Sequence, residues 1–172
     1  LFGDGAGAAV LEVADVAGQG ILNTRLGADG TGWEHIIVRN GGSAHPYTRG
    51  SMAQRKPPVV EMNGRKVFVF AVRTLPEVVR GLVADAGLSL GDLRRIVPHQ
   101  ANARIIQAAA GQLGVPESLF YMNLEQRANT SAASIPLALH DMEAEGELAR
   151  GDLIAIAGFG SGLTYAGALI RW

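Results

Sequence analysis

Three positions in this 172-residue chain carry polar side chains where an α/β fold collects its chemistry: His99, Asn129 and Ser161. In Val97-Pro98-His99-Gln100-Ala101-Asn102 the apolar residues before His99 read as a short strand, and Asn102 to Leu113 reads as a helix. A histidine at the carboxyl end of a strand, just ahead of a helix, stands in the usual place for a ligand site in an open α/β sheet. Pro98 fixes φ and removes a donor, so regular pairing cannot simply continue, and His99 is aimed above the sheet. The alternative is a histidine that opens the helix and bonds only locally. Asn129 precedes Thr130 and Ser131 in front of another predicted helix, where it reads either as a site residue or as a cap or turn residue. Ser161 lies in Gly158-Phe159-Gly160-Ser161-Gly162, a turn with exposed N–H groups. The chain has no cysteine, so it supplies no thiol nucleophile, disulfide or thiolate metal site of its own. His35 and His45 lack the close companions of a metal site and read as surface residues. No metal is expected.

The length suits one domain with a buried core. Apolar residues make up 48% and charged residues 18%, the balance of a globular protein. A net charge of −1 gives no electrostatic reason to expect nucleic acid or a membrane surface. No apolar run is long enough for a membrane span. The chain opens abruptly at Leu1-Phe2-Gly3-Asp4-Gly5 and reads as the interior of a longer protein.

The supporting elements follow from periodicity. Residues 3–13 run from small residues into an apolar strand. A phosphate loop needs a helix after its glycines, so close backbone packing is the better reading. Ile21 to Gly27 reads as a second strand, paired to the first through the turn near Gly18. Residues 28–64 are irregular, and Arg49, Arg55 and Lys56 within them read as solvated. Val67 to Ala86 has helical spacing, with Phe68, Ala71, Val72, Leu75, Val79, Leu82, Val83 and Ala86 on one face. Pro76 should kink it, and Gly87 should end it. Ser89 can cap a short turn. Gly114 closes the second helix, Leu119 to Asn123 is a third candidate strand, and a helix runs from Ser131 to Glu145. Leu153 to Ala157 and Leu163 to Ile170 form a closing hairpin. The fold class is α/β, a mixed sheet with helices packed on its faces.

Taken together, Val97-Pro98-His99-Gln100-Ala101-Asn102, Ala128-Asn129-Thr130-Ser131-Ala132-Ala133-Ser134 and Gly158-Phe159-Gly160-Ser161-Gly162 resemble the three carboxyl-terminal motifs of the β-ketoacyl-acyl carrier protein synthase III family. Leu1-Phe2-Gly3-Asp4-Gly5-Ala6-Gly7-Ala8 resembles the segment joining that family's halves. Order and spacing fit from end to end. The resemblance implies a thiolase-like fold of two similar α/β halves, with residues 1–172 as the carboxyl-terminal half. It also implies a cysteine, histidine and asparagine triad. His99 and Asn129 match the last two, and the cysteine belongs to the amino-terminal half. A cytoplasmic homodimer that initiates fatty acid synthesis is implied as well. An acyl-CoA primer loads the cysteine, then malonyl on acyl carrier protein loses carbon dioxide and attacks. Both are substrates, and no cofactor is implied.

That chemistry suits these residue types. Decarboxylation builds an enolate on the thioester oxygen, and two neutral donors, the His99 imidazole N–H and the Asn129 amide N–H, stabilise it without giving up a proton. The Ser161 backbone N–H matches one donor of a second oxyanion hole. By resemblance Asn102 and Gly64 contact the pantetheine arm, Phe68 lies near the inner end of the channel, and Arg104 stands at its mouth where the acidic carrier docks. Val69 and Gly111 depart from the more basic docking surface of many relatives, which implies either weaker carrier recognition or docking through Arg49, Arg55 and Lys56 instead. The alternatives are a polyketide starter-unit condensing enzyme, an acyltransferase without decarboxylation, and a non-catalytic partner subunit that shapes a channel.

Overall fold

The computed structural model describes residues 2–48 and 58–172. Arg49, Arg55 and Lys56 lie outside the described residues. Four strands form the main sheet: β1 (Gly20–Ala28), β4 (Arg95–Pro98), β5 (Leu153–Gly160) and β6 (Thr164–Arg171), in the order β1-β6-β5-β4. β4 and β5 run parallel and the other pairs antiparallel, so the sheet is mixed as expected. A separate two-stranded ribbon joins β2 (Ile36–Ile37) to β3 (Glu61–Met62). The helices are α1 (Gly64–Asp85), α2 (Ala103–Leu113), a single turn α3 (Leu124–Arg127) and α4 (Ser134–Ala144).

Strand alternation sends successive side chains to opposite faces. Ile96, Ala155, Ala157 and Leu169 face α1 and α2, in a core with Leu75, Val79, Leu82 and Ile106. Val97 and Ile156 face α4, where they meet Ala138, Met142 and Tyr121. Helices therefore cover both faces.

α1 begins three residues earlier than the periodicity indicates, because the Asn63 side chain accepts from Lys66 N–H at 3.2 Å and caps it. Its buried arc is also wider. Phe70, Thr74 and Val78 are buried besides the expected stripe, since the helix packs on the sheet and on α2 together. Three helices end alike. After α1, Gly87 adopts φ 68°, its N–H reaches Ala84 O at 3.0 Å, and Leu88 N–H reaches Val83 O at 2.8 Å. Gly114 and Gly146 close α2 and α4 through the same paired bonds.

Several expectations are corrected. Residues 3–13 form no strand. Val10, Leu11 and Val13 are 93%, 80% and 91% exposed, and no strand among the described residues lies beside them to supply a ladder. The glycines there serve close packing: a Cβ on Gly3 would meet Arg127 O at 2.8 Å, and one on Gly5 would meet Leu137 Cδ1 at 2.9 Å. β1 pairs with β6 rather than with the opening segment. Leu119 to Asn123 shrinks to one bridge, Ile96 to Phe120, because a short 3₁₀ turn at Glu117–Leu119 occupies its start. The glycine-rich turn is shorter than expected, since Gly158, Phe159 and Gly160 still pair with Ala166, Tyr165 and Thr164.

Candidate active site

The parallel pair β4–β5 delivers His99. Its backbone N–H donates to Ala157 O at 2.8 Å, one step beyond the strand. Gln100 holds the exit. It is fully buried, its Nε2 donates to Pro98 O at 2.9 Å and Tyr121 O at 3.1 Å, and its Oε1 accepts from Asn123 N–H at 3.3 Å. Asn102 then caps α2 by accepting from Arg104 N–H at 2.9 Å.

The His99 ring is half-buried. Nδ1 lies 2.7 Å from Ser134 Oγ, and the Phe159 ring stands edge-on at a centroid distance of 5.6 Å. Burial pushes the His99 pKa below its usual value, and a contact with the Ser131 backbone opposes that shift. At neutral pH the ring is therefore uncharged, with one N–H and one lone pair.

Asn129 comes from the loop between α3 and α4. Its Oδ1 accepts from Ser131 N–H at 3.0 Å, which makes a local turn and leaves the amide N–H groups as its free donors. The turn reading and the donor reading are thus compatible in one side chain. The loop is held from three sides. Gly3 N–H donates to Asn129 O at 2.9 Å. Arg127 makes a two-point ion pair with Asp141 of α4, at 3.0 and 2.7 Å. Asn123 Nδ2 donates to the same carboxylate at 2.8 Å.

Two non-glycine residues around Asn129 have positive φ: Ala128 at 57° (with ψ −169°) and Ser131 at 53°. The Ala128 geometry is one that glycine alone adopts freely, so it stores strain at the site. Ala128→Gly should raise stability by about 1 kcal/mol, the relieved strain outweighing glycine's larger unfolded-state entropy. Urea unfolding of the two proteins measures it, and a destabilised glycine variant would refute the strain argument.

His99, Asn129 and Ser161 line one cleft of about 1100 Å³, as do Asn102, Gly64 and Phe68. Its walls are largely apolar, with Val67, Ile105, Ile156 and Phe159 among them. Ser161 is fixed at both ends: its hydroxyl donates to Ile36 O at 2.7 Å, and its carbonyl accepts from Thr164 Oγ1 at 2.9 Å. A Cβ on Gly64 would meet open space, so the cleft is unobstructed there. Arg104 is exposed on α2 and does not line this cleft. Among the described residues no three His, Asp or Glu side chains converge as a metal site, and no helix is long and apolar enough to cross a membrane.

The sequence reading assigned no role to Gln100, Phe159 or Ser134. Ser134 reads as an ordinary helix-start serine, and nothing local signals a partner 35 residues away.

A mixed sheet covered by helices, with a neutral histidine and an asparagine brought to one cleft, defines half of a thiolase-like condensing-enzyme fold. The sequence model of the family "3-oxoacyl-(acyl-carrier-protein, ACP) synthase III C terminal" matches residues 83–172, and the chain belongs to that family. The beta-ketoacyl-(acyl-carrier-protein) synthase III of Desulfitobacterium hafniense is 43% identical over 172 residues, covering 100% of this chain and 51% of that protein. The chain spans about half the length of the curated relatives it matches. The solved synthase III of Thermus thermophilus is 39% identical with a TM-score of 0.80, over 91% of this chain and 47% of that one. The priming β-ketosynthase of the R1128 polyketide biosynthetic pathway is 35% identical with a TM-score of 0.78, over 91% and 46%.

Proposed function

We propose that this chain is the enolate-stabilising, carboxyl-terminal half of a β-ketoacyl-acyl carrier protein synthase III. A cysteine-bearing amino-terminal half supplies the nucleophile. That cysteine takes an acyl group from an acyl-CoA primer. Malonyl on acyl carrier protein then loses carbon dioxide, and the resulting carbanion attacks the bound acyl group to begin a fatty acid. His99 N–H and Asn129 N–H stabilise the enolate oxygen. Ser161 N–H, with the N–H of the cysteine, stabilises the oxyanion of the acyl-transfer step. Asn102, Gly64 and Phe68 guide the pantetheine arm. The chemistry asks for no metal or redox cofactor. The complete enzyme is read as a cytoplasmic homodimer.

One observation carries this reading. Two neutral donors from separate loops, His99 and Asn129, line the same apolar cleft, and the acceptor end of Asn129 is already occupied. Carbon dioxide release from a malonyl thioester by the complete enzyme tests it. No release, or release that survives loss of both side chains, would sink it. The likeness to a priming β-ketosynthase favours a second reading, a polyketide starter-unit enzyme with the same chemistry and a different product.

Arg104 is assigned to carrier docking. It is exposed near the cleft-lining Asn102 and makes no ion pair among the described residues. Arg104→Glu should raise the apparent KM for the malonyl carrier substrate by roughly tenfold at low salt, and the effect should shrink as salt screens it. A carrier-free malonyl thioester should react at nearly the parent rate. Equal loss on both substrates would make Arg104 structural.

A further inference from the structure

We infer that the Ser134 hydroxyl sets the tautomer of His99 by donating its proton to Nδ1, which leaves Nε2 as the ring's one N–H. This inference deepens the reading above, because only an N–H on the ring can serve an enolate oxygen.

One buried proton decides the tautomer. Ser134 is 2% exposed, so its hydroxyl is all but shut off from solvent. Its Oγ has two partners: His99 Nδ1 at 2.7 Å and Gln100 N–H at 3.2 Å. The backbone N–H can only donate, so it takes one lone pair of Oγ. Nδ1 is then the single acceptor left for the hydroxyl proton among the described residues. The opposite tautomer would make Oγ accept twice and bury its own proton unmatched, which is costly. Gln100 gives the arrangement rigidity. Its side-chain amide is bonded to three backbone groups, so the N–H that fills the serine lone pair cannot drift. The Ser131 backbone also acts on the ring, in the direction that favours its protonated form. Ser134 is thus a positioning residue: it acts through His99 and sets which ring nitrogen carries the proton.

Ring-nitrogen NMR of the complete enzyme, labelled with 15N-histidine, tests this directly, because N–H and lone-pair nitrogens differ widely in shift. The four histidines of this chain are separated by comparison with His99→Gln, which lacks the relevant pair. The expected result at neutral pH is a protonated Nε2 and a bare Nδ1 for His99. Ser134→Ala removes that proton donor, so the ring should move from one fixed tautomer toward a mixture of both, and malonyl decarboxylation should fall by about 10–100-fold, the range seen when partners that orient a ligating imidazole are removed. Ser134→Thr, which keeps the hydroxyl, should keep the parental ring shifts. A parental His99 found as Nδ1–H overturns the inference even if neither variant folds, and so does a folded Ser134→Ala whose ring shifts are unchanged. The tautomer is read without turnover. A failure of the condensing-enzyme reading would therefore leave the NMR result standing, and a failure of the tautomer would leave the donor test of His99 and Asn129 untouched.

Discussion

Replacing His99 or Asn129 by alanine in the complete enzyme should cut malonyl decarboxylation by roughly 10²–10³-fold for each lost donor. The enolate oxygen carries the charge that develops in this step, and both side chains are assigned to it. Loading of the primer onto the cysteine should survive better, with some loss at His99 if the ring helps hold the thiolate. The double variant should be little worse than the poorer single one, because both donors serve one charge and act as a unit. Asn129 needs a second variant, since its Oδ1 also accepts from Ser131 N–H. Alanine removes that turn along with the donors, at about 1 kcal/mol of stability. Asn129→Asp keeps an oxygen for Ser131 N–H and removes every amide N–H. If the donor assignment holds, the aspartate variant folds like the parent yet decarboxylates as poorly as the alanine variant, or worse, because a carboxylate opposes the enolate charge. An aspartate variant that decarboxylates at the parent rate would reduce Asn129 to a turn residue.

What was legible in the sequence was mostly local. The helical spacing from Val67 to Ala86 gave α1 to within three residues at its start, and Gly87, Gly114 and Gly146 each close a helix because a left-handed residue there satisfies the last carbonyls. The hairpin of β5 and β6 was legible because its turn is short. The partner of β1 was not. A glycine at position 18 suggests a tight local hairpin, yet β1 pairs with β6 across most of the chain, and register over that distance is set by burial rather than by turn chemistry. Val10, Leu11 and Val13 have strand character and no strand, since propensity forms no ladder without a neighbour. At the site, His99, Asn129 and Ser161 were visible as residues after strands or before helices, and resemblance gave them roles. Ser134 was invisible. A serine at a helix start has an adequate local explanation, and its bond to His99 exists only once α4 packs against β4.

The purified 172-residue chain should neither take up an acyl group nor condense, however much substrate is supplied. Acyl loading needs a thiolate, and these residues include no cysteine. The surface argues the same way. Leu26 is 78% exposed and belongs to the lining of the cleft, and Phe2, Ile36, Val60 and Met62 line it as well. A stretch of apolar groups this size beside the cleft is the kind of surface that meets a protein partner, as the proposed two-half enzyme requires. Mixing the chain with a cysteine-bearing half should therefore do two things. It should restore primer loading and condensation, and it should slow amide hydrogen exchange along β1, whose face then becomes covered. The two readouts separate the causes of failure. Protection with primer loading but no condensation would keep the assembly and remove the donor roles from His99 and Asn129. Appreciable condensation by the isolated chain would overturn the assignment of the nucleophile to the other half, and with it the division of labour on which the whole functional reading rests.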